Sequence, residues 1–180
     1  MSDKRLQDRV AIVTGAGTRG PMVGTGQATA ILFAQQGAKV LLVDLEIERA
    51  EETQSTIEAD GGQASVFQAD VTQESSCHAM VETCLERYGA LHILFNNVGT
   101  GGSGMVTEVE DTVWNRALDG NLKSAVWACK HAVPKMSDAG GGAIINVSSI
   151  DGLRAGMTPN IPYAVAKGGL VTLTKAMAVH

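Results

Sequence analysis

Aromatic residues make up only 4% of this 180-residue chain. Its core must therefore be assembled from Ala, Val, Leu and Ile, a small-residue packing suited to helices laid on a parallel sheet. Cysteine is scarce as well. Cys77, Cys84 and Cys129 form neither a CxxC pair nor an even set, which argues against a disulfide framework and predicts reduced, buried thiols in a cytoplasmic protein. His78, His92, His131 and His180 share no metal-ligand spacing, so no metal site is expected. Positive charge is in deficit, with a formal net charge of −5, and this lacks the basic footprint of a nucleic-acid binder. Long apolar runs are missing too. Val40-Leu41-Leu42-Val43 is typical, far short of the ~18 residues needed to span a bilayer. The opening MSDKRLQDRV has no apolar leader core.

What is present is alternation. With no linker, repeat or low-complexity tract, residues 1–180 read as one domain long enough to bury a core. Strand-like runs at 10–13, 39–44, 64–68, 91–95 and 143–147 are separated by helix-like segments at 27–36, 46–60, 75–88 and about 111–136. Thr72 or Ser75 is the expected cap of the third helix, and Pro134 is expected to bend or end the fourth. A last helix begins near Pro162 and is expected to run on to His180. Strands linked by such helices predict right-handed crossovers and a doubly wound, three-layer α/β/α sheet of the Rossmann type. Ligands are then expected at the carboxyl ends of the strands.

Those ends carry the candidate residues. Gly15, Gly17 and Thr18 leave the first strand, and Gly24 and Gly26 open the next helix, so that backbone N–H groups can approach a pyrophosphate. Arg19 to Val23 lengthen that turn beyond the usual compact form. Asp44 ends the second strand, eighteen residues past Gly26, where a carboxylate accepts from ribose hydroxyls and repels a 2′-phosphate. That favours NAD over NADP, with Arg19 the nearby cation that could oppose the preference; Asp44 is also a cap candidate for the following helix. Asp70 and Val71 follow the third strand, near where adenine would lie. Asn97, Val98 and Gly99 follow the fourth, with Asn96 placed to brace neighbouring strands.

VTGAG…GTG, Asp44, ADV, NNVG, the Asn121 of LDGNLKSA, the serines of INVSSIDG and YAVAK together resemble the short-chain dehydrogenase/reductase family in its single-domain form, from about residue 7 to 180. The resemblance implies an NAD(P)-dependent oxidoreductase moving a hydride between the nicotinamide and a small alcohol or carbonyl substrate. Tyr163 would be the acid/base. A free phenol titrates near ~10, and an ammonium one helical turn away, that of Lys167, favours the phenolate. Lys167 would also hold the nicotinamide ribose. The resemblance implies Ser149 rather than Ser148, since the family's serine directly precedes the residues leading into the glycine, here Ile150-Asp151-Gly152, and it would stabilise charge on the substrate oxygen; adjacent strand positions face opposite ways, so only one of the two serines can point into the site. Asn121 would hold a proton-relay water, although apart from the family pattern an Asn at that point reads as an exposed helix residue. Arg154 and Met157 lie where a substrate loop could run. A homo-oligomer, dimer or tetramer, would pair the long helix from Asp111 and the one from Pro162.

Family members usually continue for roughly another third, with sheet order 3-2-1-4-5-6-7. The fifth strand is therefore expected at an open edge. A chain ending at His180 is expected to bind cofactor weakly and turn over little, which keeps a catalytically incompetent nucleotide-binding fragment or pseudoenzyme as the alternative.

Overall fold

The computed structural model describes residues 4–154 and 156–179, so His180 lies outside the described residues. Five strands, β1 (Val10–Thr14), β2 (Lys39–Asp44), β3 (Gln63–Gln68), β4 (Ile93–Asn96) and β5 (Ala143–Asn146), form one parallel sheet of order β3-β2-β1-β4-β5. Between them run α1 (Thr25–Gln35), α2 (Ile47–Ala59), α3 (Glu74–Tyr88), α4 (Asp111–Leu118) and α5 (Ser124–Asp138), and α6 (Ile161–Met177) follows β5. This is the expected doubly wound Rossmann-type arrangement.

Side-chain alternation explains why the strands read as continuous apolar runs. Ile12, Leu41 and Leu94 point into a core shared with Met80 of α3 and Ala128 of α5. Their neighbours Val13, Leu42 and Phe95 face the opposite core, with Ala30 of α1 and Ile57 of α2. Both faces of the sheet are covered, so neither can be polar. The alanines of α1 let that helix sit close to the strands, which is how a chain poor in aromatics fills its interior. All three cysteines are free and buried, and burial pushes their thiols up to about 12, 12 and 11, as unreactive core residues.

Several local expectations are corrected. The cap of α3 is Gln73, not Thr72 or Ser75, because Asp70 takes Thr72: its Oδ1 accepts from the Thr72 N–H at 3.0 Å and from its hydroxyl at 2.7 Å. The single long helix expected over 111–136 is two helices joined by a π-helical turn, Asp119–Lys123. Pro134 does not end α5, which runs on to Asp138; the Lys130 carbonyl that loses its donor belongs to an exposed residue. The last helix ends at Met177. His92 is neither a free surface group nor a helix-packing one: its Nδ1 accepts from the Val10 N–H at 3.1 Å, fastening the entry of β4 to β1.

Candidate active site

The strand order reverses between β1 and β4, and the crevice at their carboxyl ends is where a parallel sheet leaves room for a ligand. A cleft of about 350 Å³ opens there. Its wall is built from the glycine-rich turn (Gly15, Gly17, Thr18, Gly24, Gly26), then Asp44, Asp70 and Val71, and finally Asn97, Val98 and Gly99. All the strand-end candidates for the cofactor thus converge on one feature. Arg19, Thr25, Leu45, Thr72 and Thr100 also line it.

The turn is shaped by contact rather than by glycine content alone. A Cβ on Gly26 would strike the carbonyl oxygen of Gly15, whose φ of +61° already sits in the left-handed region. Asn97 locks the same point, its Nδ2 donating to the Gly15 carbonyl at 3.0 Å and its N–H to Thr14 Oγ1 at 3.1 Å. Thr18 donates its hydroxyl to the Met22 carbonyl at 2.7 Å, closing the inserted residues into a small loop of their own. Hence the insertion leaves the close approach of Gly15 and Gly26 intact.

Asp44 is held by two backbone donors, Gly17 N–H to Oδ2 at 3.0 Å and Glu46 N–H to Oδ1 at 3.1 Å. It does not cap α2, whose cap position is Glu46. Each carboxylate oxygen keeps a further lone pair toward the cleft. A backbone-lined cradle with a fixed carboxylate at its far end fits an adenosine-bearing dinucleotide.

The residues expected to carry the chemistry stand next to this cleft rather than in its wall. Gly99 joins the two: a Cβ there would lie 3.2 Å from Asn121 Oδ1 and 3.7 Å from Lys167 Nζ. Asn121 is buried, contrary to the exposed helix residue that its sequence context alone suggests. The π-helical turn swings it inward, where Nδ2 donates to the Thr100 and Ala117 carbonyls, both at 2.8 Å, and Oδ1 accepts from the Thr100 N–H at 3.2 Å. Thr100 is thus a structural partner of the site that sequence reasoning missed; its one signal is that it directly follows Asn-Asn-Val-Gly.

Lys167 is also buried, at 3% exposure, with Nζ donating to the Val147 carbonyl at 2.7 Å and lying 5.8 Å from the centroid of the Tyr163 ring. Burial lowers its ammonium from 10.5 to about 8. Tyr163 and Lys167 thus face each other along α6, as their spacing predicts.

Ser148 and Ser149 do diverge, though not by strand alternation, since β5 stops at Asn146. Ser148 donates to the Lys167 carbonyl at 2.7 Å, and Ser149 Oγ accepts from the Asp151 N–H at 3.2 Å, keeping its own proton to donate. Asn96 braces β4 to β5 through Nδ2 to Asn146 Oδ1 at 2.9 Å. Among the described residues no cluster of three His, Cys, Asp or Glu could hold a metal ion, and no helix is long and apolar enough to cross a membrane.

Known proteins resemble this chain in sequence and in fold. The short chain dehydrogenase family profile matches residues 9–180. The chain is 39% identical over its whole length to cyclohexanol dehydrogenase of Acinetobacter sp. (strain SE19), covering 69% of that protein. It is 36% identical to 3β-hydroxysteroid dehydrogenase of Mediterraneibacter gnavus, with 97% of this chain matched to 61% of that one. A short chain dehydrogenase from Mycobacterium smegmatis superposes with a TM-score of 0.90 at 32% identity, over 97% of this chain and 71% of that structure. The chain thus spans roughly two thirds of such relatives, and over that span it belongs to the short-chain dehydrogenase family.

Proposed function

We propose that this chain is the cofactor-binding and acid/base portion of an NAD-dependent oxidoreductase acting on an alcohol or its carbonyl counterpart. The observation that carries the reading is Lys167: a buried amine beside the Tyr163 ring, on the edge of a glycine-lined cleft that ends in a fixed carboxylate. When bound, the nicotinamide supplies the hydride acceptor or donor. Tyr163 takes the hydroxyl proton during oxidation and returns it during reduction. The Lys167 ammonium stands beside the Tyr163 ring, Ser149 donates to the substrate oxygen, and Asn121 holds the proton path behind Lys167.

NAD is favoured over NADP because a 2′-phosphate would meet the Asp44 carboxylate. Its two oxygens are already tied to the backbone and cannot swing away. Arg19, on the same cleft, limits the discrimination rather than reversing it. Calorimetric titration is expected to give tighter binding for NAD⁺ than for NADP⁺; equal or reversed affinities would remove Asp44 from its assigned role.

The substrate we infer is a secondary alcohol on an apolar ring. Cyclohexanol and a 3β-hydroxysteroid, named for two relatives, both have that form. The loops flanking the start of α6 turn Met105, Val106, Leu153 and Met157 outward, the last fully exposed. Tyr163→Phe is expected to lower turnover by about 10²–10⁴-fold while leaving cofactor affinity unchanged. A non-catalytic nucleotide-binding module would bind the cofactor and be indifferent to that substitution. Assembly as a dimer or tetramer through α5 and α6, whose outer faces expose Val133 and Val165, is part of the same proposal and is checked by sedimentation.

A further inference from the structure

Between Ser149 and the first turn of α6 the chain makes an exposed excursion: residues 153, 154 and 156–159 all face solvent. Asp151 and Asn160, at its two ends, do not. Asn160 Nδ2 donates to Asp151 Oδ2 at 2.7 Å, closing the excursion at its base. Asn160 occupies the cap position of α6, where Asn side chains ordinarily accept from the helix's own N–H groups, yet it makes no such cap bond. Its side chain is directed across the loop instead. Asp151 is tied at the other side, its N–H donating to Ser149 Oγ at 3.2 Å. Next to it, a Cβ on Gly152 would come within 2.6 Å of the Lys167 carbonyl carbon. A third segment joins at the same point, with Gly104 donating its N–H to the Pro159 carbonyl at 2.8 Å.

We propose that the Asp151–Asn160 hydrogen bond is a positioning link. It fixes the serine that holds the substrate oxygen relative to the tyrosine that moves the proton. Ser149 and Tyr163 are carried by different elements, and β5, ending three residues before Ser149, cannot set their separation. The Ser148 hydroxyl and the Lys167 ammonium tie this segment to α6 one turn beyond Tyr163, and the link spans the gap at the helix's first turn. Ser149 is joined to Asp151 backbone, Asp151 carboxylate to Asn160 amide, and the Asn160 carbonyl accepts the first bond of α6 from the Ala164 N–H at 2.9 Å. Neither Asp151 nor Asn160 lines the cofactor cleft, so the link acts on geometry at the reacting atoms and not on cofactor affinity. This inference rests on the proposed function, since it assigns Asp151 and Asn160 to the same acid/base site.

Asp151→Leu and Asn160→Leu are each expected to lower kcat by about ten- to a hundredfold with NAD⁺ affinity unchanged, the loss expected from a small misplacement of reacting groups. The two losses should not add. The exchanged pair Asp151→Asn/Asn160→Asp rebuilds the bond with donor and acceptor reversed, and should recover most of the rate. An exchanged pair no better than the single variants overturns the link, as does a loss of NAD⁺ affinity in step with kcat. Hydrogen exchange provides a reading independent of turnover. The amides of Ile161, Tyr163, Ala164 and Val165 should exchange faster in Asp151→Leu and return to native rates in the exchanged pair. If the unsubstituted chain neither binds NAD⁺ nor turns over an alcohol, the proposed function fails; wherever turnover is too low to compare, the exchange measurement alone decides the link, with unchanged protection overturning it.

Discussion

Lys167 shows how a residue proposed to serve a site can be a burden to the fold. Its ammonium is almost wholly buried, and lowering its pKa from 10.5 to about 8 corresponds to roughly 3 kcal/mol, at about 1.4 kcal/mol for each pH unit. At pH 7 the lysine is charged in both native and unfolded chains, so the whole penalty falls on the native state. Between about pH 8 and 10.5 the native lysine loses its proton first, the unfolded chain binds more protons, and stability rises with pH. Above 10.5 both are neutral and the penalty is gone. Lys167→Met should therefore abolish turnover yet stabilise the protein at pH 7 by about 1–2 kcal/mol, after allowing for the unsatisfied Val147 carbonyl. The gain should be lost between pH 8 and 10.5 and be reversed near pH 11, where only the carbonyl's lost partner remains. Urea melts of both proteins at the two pH values test this; a gap independent of pH would show that burial of the charge is not its cause.

At the scale of elements, the site depends on two departures from regular structure. The first is the contact between β1 and α1, where Gly26 lies against the Gly15 carbonyl and Asn97 closes the gap. Gly26→Ala should force the helix off the strand end, costing about 1–3 kcal/mol by overpacking. It should also lower NAD⁺ affinity more than tenfold by spoiling the turn; unchanged affinity in calorimetry would mean that the turn does not bind the pyrophosphate. The second is the π-helical turn between α4 and α5. An uninterrupted α-helix was the natural reading of 111–136, because a one-residue widening leaves the apolar pattern almost unchanged. Only with Thr100 packed opposite does the turn acquire a reason, since the Asn121 amide then finds every partner it needs inside the protein.

At the scale of the molecule, the most distinctive surface is the β5 edge. Among the described residues β5 pairs only with β4, and Ile145 is 37% exposed on it. Beside it, Val133, Met136, Ile144 and Met177 line an apolar groove of about 650 Å³ between α5 and α6. An unpaired strand next to such a groove is a template for association between chains. Ile145→Lys places a charge on the edge without touching the cofactor cleft. It is expected to reduce light scattering on heating while NAD⁺ affinity stays the same; equal scattering would mean that aggregation starts elsewhere.

Much of this protein was legible from residue order. The five strands, their helices and the wall of the cleft follow from apolar period and from glycine, aspartate and asparagine at successive strand ends, because those signals are local and survive without a partner in view. YAVAK set Tyr163 and Lys167 one turn apart for the same reason. What waited for the tertiary structure were features that depend on residues distant in sequence. The Asn97 lock on Gly15 spans 82 residues, the Thr100 clasp on Asn121 spans 21, and burial of the Lys167 ammonium beneath the Val147 carbonyl spans 20. A side chain's nearest neighbours in a sheet protein are set by strand pairing and helix packing. Its charge state, its hydrogen-bond partners and its distance to the reacting atoms were therefore decided only once those pairings were made.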